Sequence, residues 1–422
     1  MASYAQALFI AIPFFILLMF VEIGYGILKK RQTYSVVDTI SSLSSGITNS
    51  IKNLLGLGLI ILSYPYLFEK LALFQLEDQW WVWALAFVFI DFAGYWSHRI
   101  SHSINLFWND HIIHHSSENY NLACALRQPI SDLLRYYPLL LLPAAIVGVP
   151  HHIIAFIAPI HLFLQFWYHT VHIGKLGFFL EYIIITPSQH RVHHAINAPY
   201  IDKNLGQIFS VWDRIFGTFQ EELEDEVPQY GVLKPVRTWN PIRINFLHLW
   251  QLAMDAYRAQ SFWDKLRIWL MPTGWRPADV AKKYPLSLIE DVYGFERYDT
   301  RTSVNFQIYA VFQMVSVLGL FLMMIYGFEN LSSSEILLFS LYLGVSIYGY
   351  SDLLDLRFSG FVIELIRTGF GLWLLGNLEH WEGLYNLFVP FHSVLVGYLI
   401  VTLVGTIYVT SVEFPKSKSV LV

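Results

Sequence analysis

Histidines are concentrated in one part of the chain, where residues 91–194 hold 13 of the 16 in the sequence. Most of them fall into three groups, one with members four positions apart and two with the pattern H-x-x-H-H. The groups are His98 and His102; His111, His114 and His115; and His190, His193 and His194. Because helical residues three or four positions apart share one face, each group can direct its imidazoles toward one point. Neutral imidazole binds iron, zinc, copper and nickel, and eight such ligands exceed the needs of one ion, so the pattern predicts a two-metal site.

Three other histidines bear on the size of this site. His169 ends an apolar segment on the side where the groups emerge, so we predict it as a ninth ligand. His172 follows three residues later and shares that helical face, which leaves its membership of the site open. His161 lies two turns before His169 and is either a hydrogen-bond partner of a ligand or a packed core histidine.

Polar residues follow the second and third histidine groups and are candidates for supporting roles. Metal-bound histidines usually donate their second ring N–H to a carboxylate, a carbonyl or a water molecule. Glu118 and Asn121 belong to the run S-S-E-N-Y-N after the second group, and Asp202 follows the third group. We predict that these residues act in catalysis around the metal ligands. Helix capping or a solvated charge is the alternative for each of them.

The available ligand types limit the chemistry of the predicted site. Cys124 is the single cysteine, which excludes an internal disulfide framework and cysteine-ligated zinc or iron–sulfur centres. A nitrogen-rich, open coordination sphere suits O₂ activation on non-haem iron. Hydrolysis at zinc is the competing chemistry, because it also uses histidine ligands and an open position.

The composition is that of an integral membrane protein. The chain is 55% hydrophobic and 14% charged, against about 25% charged for a soluble domain. Its net charge of −5 gives no sign of nucleic-acid binding. Long apolar runs predict spans over residues 8–28, 51–68 and 80–96, a hairpin over 133–148 and 153–169, and four more spans over 304–328, 336–350, 361–375 and 387–409.

These segments predict an all-α, multi-span bundle with a helical cytoplasmic cap that carries the histidines. Basic residues 29–31 follow the first span and indicate the cytoplasmic side, and the number of spans returns the histidines to that side of a bacterial inner membrane or the endoplasmic reticulum. We predict a catalytic membrane domain over residues 1–227, a cytosolic helical segment over 228–303 and a four-span membrane domain over 304–422.

A membrane metal-binding or transport protein without enzymatic activity is an alternative from a different class. Such a protein needs polar residues inside its spans to line a path. The predicted spans are nearly free of them, and Asp91 and His161 are the main exceptions.

The histidine motifs and their surroundings resemble the fatty-acid hydroxylase/sterol desaturase superfamily of membrane di-iron oxygenases, and within it the alkylglycerol monooxygenases. The likeness covers H-I-I-H-H-S-S-E-N-Y-N from residue 111, Q-F-W-Y-H-T from residue 165 and T-P-S-Q-H-R-V-H-H from residue 186. The resemblance implies that the eight grouped histidines bind two iron ions and that His169 matches a further family histidine. It also implies that Asn197 and Asp202 occupy polar positions of the active site.

The resemblance implies a reaction as well. Members of this family use O₂ to hydroxylate the carbon beside the ether oxygen of an alkylglycerol, and the product separates into a fatty aldehyde and a glycerol derivative. The implied partners are a membrane lipid, O₂ and an electron donor, either tetrahydrobiopterin or a reductase. Ser103, Ala195, Leu205 and Gln207 depart from the family pattern beside the ligands. A sterol, fatty-acid or sphingolipid hydroxylase or desaturase of the same superfamily is therefore the alternative.

Overall fold

The computed structural model describes residues 2–132 and 134–420, and the side chains of residues 4–132 and 134–414. Helices dominate this part of the chain, as predicted. Two short strands, β1 (Leu59–Ile60) and β2 (Leu134–Arg135), pair in parallel. Leu133, where the first arm of the predicted hairpin begins, lies outside the described residues.

The helices form three series along the chain. The first series precedes and includes the second histidine motif: α1 Ala2–Leu28, α2 Val36–Leu54, α3 Tyr64–Leu71, α4 Trp80–Ser103 and α5 Asn105–His115. The second series leads to and follows the third motif: α6 Tyr137–Leu140, α7 Leu142–Val147, α8 His151–Phe163, α9 Phe178–Ile183, α10 Pro187–His193 and α11 Val211–Phe216. The third series completes the chain: α12 Pro241–Arg258, α13 Phe262–Arg267, α14 Ala278–Lys283, α15 Val304–Tyr326, α16 Ser333–Leu354, α17 Phe358–Gly376, α18 Glu382–Phe388 and α19 His392–Val420. Single 3₁₀ turns lie at Cys124–Leu126, Ala198–Tyr200, Phe328–Asn330, Leu378–His380 and Val389–Phe391.

Local sequence explains where several helices begin and end. The Asn240 side chain accepts two backbone N–H groups in the first turn of α12, and Pro241 occupies the first helical position. Ser332 opens α16 with a capping box. Gly148 ends α7 with a φ of 88°, and a Cβ at this position would lie 1.8 Å from the carbonyl oxygen of Phe74. The tight passage from α7 to α8 therefore requires glycine.

Five described helical segments are long and apolar enough to cross a membrane: Tyr4–Leu28, Val304–Tyr326, Ser333–Leu354, Phe358–Gly376 and Glu382–Phe414. The predicted spans over residues 51–68 and 133–148 are wrong as continuous helices. The first is interrupted after α2 by Gly56 and Gly58, both with positive φ, and the second is divided between β2 and two short helices. Residues 80–96 lie in α4, which is not among the five. The predicted count of crossings in the first half therefore has no support.

Helices α4 and α8 run side by side in the same direction toward the histidines. The rings of Trp83 and Phe156 meet near their starts at 5.4 Å, and those of Phe87 and His161 meet further along at 5.2 Å. Both helices therefore deliver the residues that follow them, including His98 and His169, to one end of the bundle.

Helices α1 and α2 share one hydrophobic core with the C-terminal helices. Ala5, Ile40 and Ile47 pack in the same cluster as Phe321 and Leu343. The N-terminal helices thus join the metal-binding part of the chain to the C-terminal block. The division of the chain at residues 227 and 303 stays a prediction.

The segment 228–303 packs against the start of α5 and the end of α16. The Asn105 side chain donates to the carbonyl groups of Ile268 and Trp275, each at 3.0 Å. An ion pair between Arg243 and Asp352, at 2.6 Å, joins α12 to α16. The contacts of Asn105 hold α5 against the segment 228–303, and the ion pair holds that segment against α16.

Polar side chains are buried inside the C-terminal spans, contrary to the prediction that the spans are nearly free of them. Glu364 and Arg367 of α17 form an ion pair at 3.1 Å, with side chains 1% and 0% exposed. Further partners of this pair are Gln313, Tyr342, Tyr398, Thr402 and Thr406. We call these residues the α17 polar cluster. The spans therefore do contain buried polar residues of the kind that a transport protein needs.

Candidate metal centre

The structure brings all nine predicted histidines together in two adjacent groups. Within each group the candidate ligand atoms lie within 4.8 Å of one another. We call the groups site A, with five histidines, and site B, with four. Site A consists of His98, His102, His111, His115 and His193, and site B of His114, His169, His190 and His194. The two sites touch where the rings of His115 and His194 stack, with centroids 4.4 Å apart.

Each H-x-x-H-H motif divides its side chains between the two sites, whereas the spacing alone predicted a single target for each motif. In the second motif the first and last histidines belong to site A and the middle one to site B. In the third motif the middle histidine, His193, belongs to site A and the other two to site B. Helices α5 and α10 therefore lie between both sites, and each motif contributes histidines to both.

Site B has the nitrogen spacing of a ligand set around one ion. The Nε2 atom of His190 lies 3.0 Å from that of His169 and 3.1 Å from that of His194, and the Nε2 atoms of His169 and His114 are 3.3 Å apart. Two imidazole nitrogens bound to the same ion at about 2.1 Å lie about 3.0 Å apart at a right angle and about 3.4 Å apart in a tetrahedron. The four side chains of site B therefore fit a bound metal.

Site A shows the same fit together with ring nitrogens that have no partner. The Nε2 atoms of His98 and His111 are 2.9 Å apart. The Nε2 atoms of His102, His115 and His193 are buried without a hydrogen-bond partner. A buried polar atom without a partner costs about 1–3 kcal/mol, which a metal ion at these nitrogens would offset.

The second ring nitrogens of five ligands face hydrogen-bond acceptors. His98 Nδ1 lies 2.8 Å from the Leu205 carbonyl, and His102 Nδ1 lies 3.0 Å from Asp202 Oδ1. The Nδ1 atoms of the other three face the carbonyl groups of Arg127, Gln165 and Lys203, opposite His114, His169 and His193. Because the acceptor favours a proton on Nδ1, the lone pair remains on Nε2, where a metal would bind.

Burial keeps the imidazoles in their neutral form. Loss of hydration, together with the neighbouring imidazoles, lowers the pKa of His98 and of His114 to about 3. The same causes hold the pKa well below its usual range in six other ligands: His111, His115, His169, His190, His193 and His194. Neutral imidazole is the form that binds a metal ion.

Two buried carboxylates hold the loop over residues 201–210, which supplies carbonyl groups to the ligands. Asp213 accepts the backbone N–H groups of Leu205 and Gly206 at 2.7 and 2.8 Å. Asp91 accepts two more backbone N–H groups, at positions 208 and 209, and the indole N–H of Trp212 at 2.8 Å. Each carboxylate satisfies several donors at once, so the loop has a fixed position against α4.

His161 and His172, which the sequence left open, belong to neither histidine group within the described part of the chain. His161 Nε2 lies 2.7 Å from Asp91 Oδ1, so it supports the carboxylate that holds the loop. The ring of His172 lies edge-on to that of Tyr25, with centroids 5.2 Å apart.

Sequence analysis missed a buried ion pair behind the second histidine motif. Arg127, whose carbonyl faces His114, donates to Asp38 at 2.7 Å, to Ser116 at 2.6 Å and to Ser42 at 3.0 Å. Both members of the ion pair are 2% exposed. An acidic residue in the first turn of α2 has an ordinary explanation as a partner of the helix dipole, so the sequence carried no signal for this contact.

The four residues predicted at the active site differ in their contacts with the histidine groups. Asp202 contacts His102 directly, and its side chain is 60% exposed. Glu118, three residues after His115, accepts the backbone N–H of Tyr298 at 2.6 Å, and burial raises its pKa. Its contact fixes the segment before α15.

The two predicted asparagines join loops near the metal centre. Asn121 donates to the Thr33 carbonyl at 2.8 Å, which ties the turn after α5 to the chain that follows α1. Asn197 donates to Glu226 at 2.7 Å and accepts the backbone N–H of Gln229 at 2.7 Å. The catalytic roles of all four residues stay predictions.

Comparison with known proteins places this arrangement in a family. A family model described as "Fatty acid hydroxylase" matches residues 83–218, a range that contains all nine histidines. Alkylglycerol monooxygenase of Homo sapiens is 35% identical over 367 residues, which cover 85% of this chain and 80% of the relative. The alkylglycerol monooxygenases of Danio rerio and Xenopus tropicalis are 33% and 31% identical, and the aligned part covers 85% of this chain and 79% of each relative. No solved structure matches the chain.

This chain belongs to the alkylglycerol monooxygenase family. The likeness to these relatives covers 85% of the chain, so it extends far beyond residues 83–218. The family and the five apolar segments together make the chain an integral membrane oxidoreductase of lipid metabolism. The alternative of a metal-binding or transport protein without enzymatic activity is thereby overturned.

Proposed function

We propose that this chain is a di-iron monooxygenase that acts on alkylglycerol ether lipids of the membrane. One O₂, two electrons and two protons would convert the C–H bond beside the ether oxygen into C–OH and release one water. The hemiacetal that results breaks its bond between that carbon and the ether oxygen. The carbon side leaves as a fatty aldehyde, and the oxygen side becomes a free hydroxyl on the glycerol derivative.

The observation that carries this proposal is the division of nine imidazoles, most of them buried, between two adjacent sites. Iron bound by the residues of sites A and B would supply the activation of O₂. The relatives are named for alkylglycerol, which directs the proposal to ether lipids and away from sterols and free fatty acids.

Aromatic side chains shield site B from water. Tyr120 is 2% exposed, and its ring lies 5.9 Å from that of His169 and 5.3 Å from that of His194. The ring of Tyr168, also 2% exposed, lies 4.2 Å from that of His190. These rings would keep bulk water away from the reacting carbon, which limits side reactions.

Asp202 gives site A a different environment. Its carboxylate orients His102, and because the side chain is 60% exposed it connects that ligand with solvent. We therefore assign Asp202 to two roles, positioning His102 and supplying the route by which protons from water reach the centre.

The cytoplasmic orientation of the centre is supported by the end of the first span. Glu22, in the last turns of α1, accepts the backbone N–H of Leu122 at 2.8 Å and the hydroxyl of Thr170 at 2.5 Å. Thr170 directly follows His169, so this end of α1 lies beside site B. The basic residues 29–31 come next in the chain, and basic residues after a span are typical of the cytoplasmic side.

The test is product analysis with the full chain in lipid nanodiscs, supplied with Fe(II), O₂, tetrahydrobiopterin and an alkylglycerol. We expect about two irons per chain and release of fatty aldehyde. The variants His115→Ala and His194→Ala should remove the activity. His152→Ala, at the end of α8 that is remote from the histidine sites, should retain it. Hydroxylation of a sterol or fatty acid without aldehyde release would support the alternative within the superfamily. Zinc without O₂ consumption would overturn the proposal.

Replacing tetrahydrobiopterin is a separate arm of the same test. We propose the pterin as the electron donor because the chain belongs to this family. Equal aldehyde release with a reductase system and no pterin would assign the electrons to a protein partner. The di-iron site and the ether substrate would be unaffected by that result.

A further inference from the structure

Residues 176–183, which contain α9, present an unusual amount of exposed apolar surface. Phe178 and Phe179 are 82% and 73% exposed, and four of their neighbours are more than one-third exposed. These neighbours are Leu176, Leu180, Tyr182 and Ile183. A contiguous apolar patch of this kind marks a surface that contacts another protein or a membrane.

The segment is held firmly, so its aromatic residues are displayed in a fixed position. The Glu181 carboxylate accepts the backbone N–H of Leu176 at 2.9 Å, which closes the turn before α9. The Glu181 carbonyl accepts from the side chains of Gln189 at 2.5 Å, Ser210 at 2.8 Å and Arg214 at 3.0 Å. Gln189 directly precedes His190, so the apolar segment is tied to the helix that carries three metal ligands.

The position of the segment relative to the helices points to the bilayer as its partner. Ile184 pairs with Phe209, whose ring lies 5.8 Å from that of Phe87 in α4. Phe87 also contacts the ring of His161 in α8. Further along α8, the ring of Phe163 lies 5.2 Å from that of Phe15 in the spanning helix α1. Phe209 and His161 of α8 thus pack on the same residue of α4, so the end of the segment adjoins the group of helices that contacts the spanning helix α1.

Charged and aromatic side chains around the segment fit a membrane interface. Lys175 precedes it, with a side chain 45% exposed. The Arg214 guanidinium lies over the rings of Tyr182 and Phe219, at 4.6 and 3.5 Å from their centroids. Aromatic rings and basic side chains together are characteristic of the headgroup level of a bilayer.

We propose that residues 176–183 form a lip inserted into the leaflet on the metal side, along which the lipid substrate reaches site B. The insertion rests on the exposed apolar surface and on its attachment beside α4 and α8, and the delivery of substrate rests on the proposed function. The occupant of the surface is the hydrocarbon of that leaflet. Because Glu181 fixes the lip to α10, a lipid beside Phe178 lies next to the element that carries His190 and His194.

The first experiment measures depth with a spin label at Phe179→Cys in nanodiscs. Cys124 is 1% exposed, and burial raises its pKa to about 12, so the native thiol does not compete for the label. We expect the label to be relaxed more by O₂ than by a water-soluble nickel complex, as for Leu17→Cys on α1. Glu224→Cys, on an exposed acidic loop, should show the reverse.

Two results of the depth measurement would overturn the lip. Relaxation by nickel as strong as at Glu224→Cys would place residue 179 in water. Protection from both reagents, with dipolar broadening between labels, would show that a second copy of the chain covers the surface. The measurement needs neither iron nor substrate, so it is independent of the proposed reaction.

The second experiment tests delivery with the double variant Phe178→Ser/Phe179→Ser. We expect the KM for a long-chain alkylglycerol in the bilayer to rise about tenfold, because the contact with the leaflet loses two inserted phenyl groups. The kcat and the iron content should not change. Leu223→Ser, an exposed apolar residue on the acidic loop, is the matched control. An unchanged KM in the double variant would overturn the delivery role even if the depth measurement succeeds.

Discussion

The metal centre and the α17 polar cluster are both buried groups of ionisable side chains, yet their polar atoms are used differently. At site A the Nε2 atoms of His102, His115 and His193 have no partner. In the α17 polar cluster Arg367 donates through all three of its nitrogens, and Glu364 Oε2 accepts from three side chains. The second oxygen of Glu364 lacks a partner and lies against Gly349, where a Cβ would be 2.3 Å away.

This difference separates a binding site from a structural joint. A buried nitrogen without a partner costs about 1–3 kcal/mol, so several of them directed at one point indicate that a ligand belongs there. The α17 polar cluster is largely satisfied by its own members, with one oxygen of Glu364 as the exception, and it holds helices together at fixed positions. Buried polar side chains thus indicate a binding site in the N-terminal half of the chain and a structural joint in the C-terminal half. Composition alone does not distinguish the two cases.

The largest expected effect is the loss of a metal ligand at the point where the two sites meet. We expect His115→Ala and His194→Ala each to lower activity by at least about a hundredfold. Either change removes a nitrogen from one site, and it also removes the ring that stacks on a histidine of the other site. Iron content and product formation measure the effect. His248→Ala, outside both sites, should keep its iron. Full activity with a full iron content in either ligand variant would remove the basis for distinguishing sites A and B.

Acidification should destabilise the metal-free protein, and more strongly than any single replacement in the α17 polar cluster, because eight of the nine histidines have a lowered pKa. The folded pKa of His98 and of His114 is about 3, below the unfolded value of 6.5, so the unfolded chain binds more protons between these values. Stability is therefore present above pH 6.5 and falls as the pH drops below it, by up to about 1.4 kcal/mol per pH unit for each such histidine. Thermal unfolding of chelator-treated protein between pH 7.5 and about 5.5 measures this loss. No change in Tm over that range would contradict the neutral, buried state of the histidines.

Arg367→Met should show that the α17 polar cluster is a joint. The change leaves Glu364 buried without its partner, which costs about 3–5 kcal/mol. We expect a lower Tm in the metal-loaded protein and an unchanged iron content. The double variant Glu364→Gln/Arg367→Met removes both charges and should recover much of the loss. If the double variant kept its stability but lost activity, the cluster would have a function beyond packing.

The set of histidines that comes together was predictable from the sequence, but its division between two sites was not. Helical spacing showed which imidazoles share a face, and it could not show that His114 and His193 turn to the site opposite from that of their neighbours. That division depends on how α5 and α10 cross, which is a property of the tertiary packing. The acceptors Leu205 and Lys203 were equally hidden, because they contribute backbone carbonyl groups that any residue type could supply.

The spans show the same limit. Hydropathy located the C-terminal helices, yet it failed over residues 51–68 and 133–148, where the apolar residues form short, broken segments. It also gave no sign of the α17 polar cluster, since Glu364 and Arg367 are single charged residues within long apolar runs. Their spacing of three positions allows the ion pair within one helix, and the other partners come from distant parts of the sequence.

The smallest of these effects is expected at Asp202, which lies between the two kinds of environment. Its carboxylate satisfies His102 Nδ1, as a network partner does, while its side chain is 60% exposed to solvent. Changes to such partners typically weaken metal binding about 10- to 100-fold, and solvent screening places Asp202→Ala at the lower end. Asp202→Asn should lose less, because the amide oxygen can still accept the N–H of His102. Competition with a chelator measures iron affinity, and Asp225→Ala on the exposed acidic loop is the control. Equal losses in the alanine and asparagine variants would show that the charge, and not the hydrogen bond, holds His102.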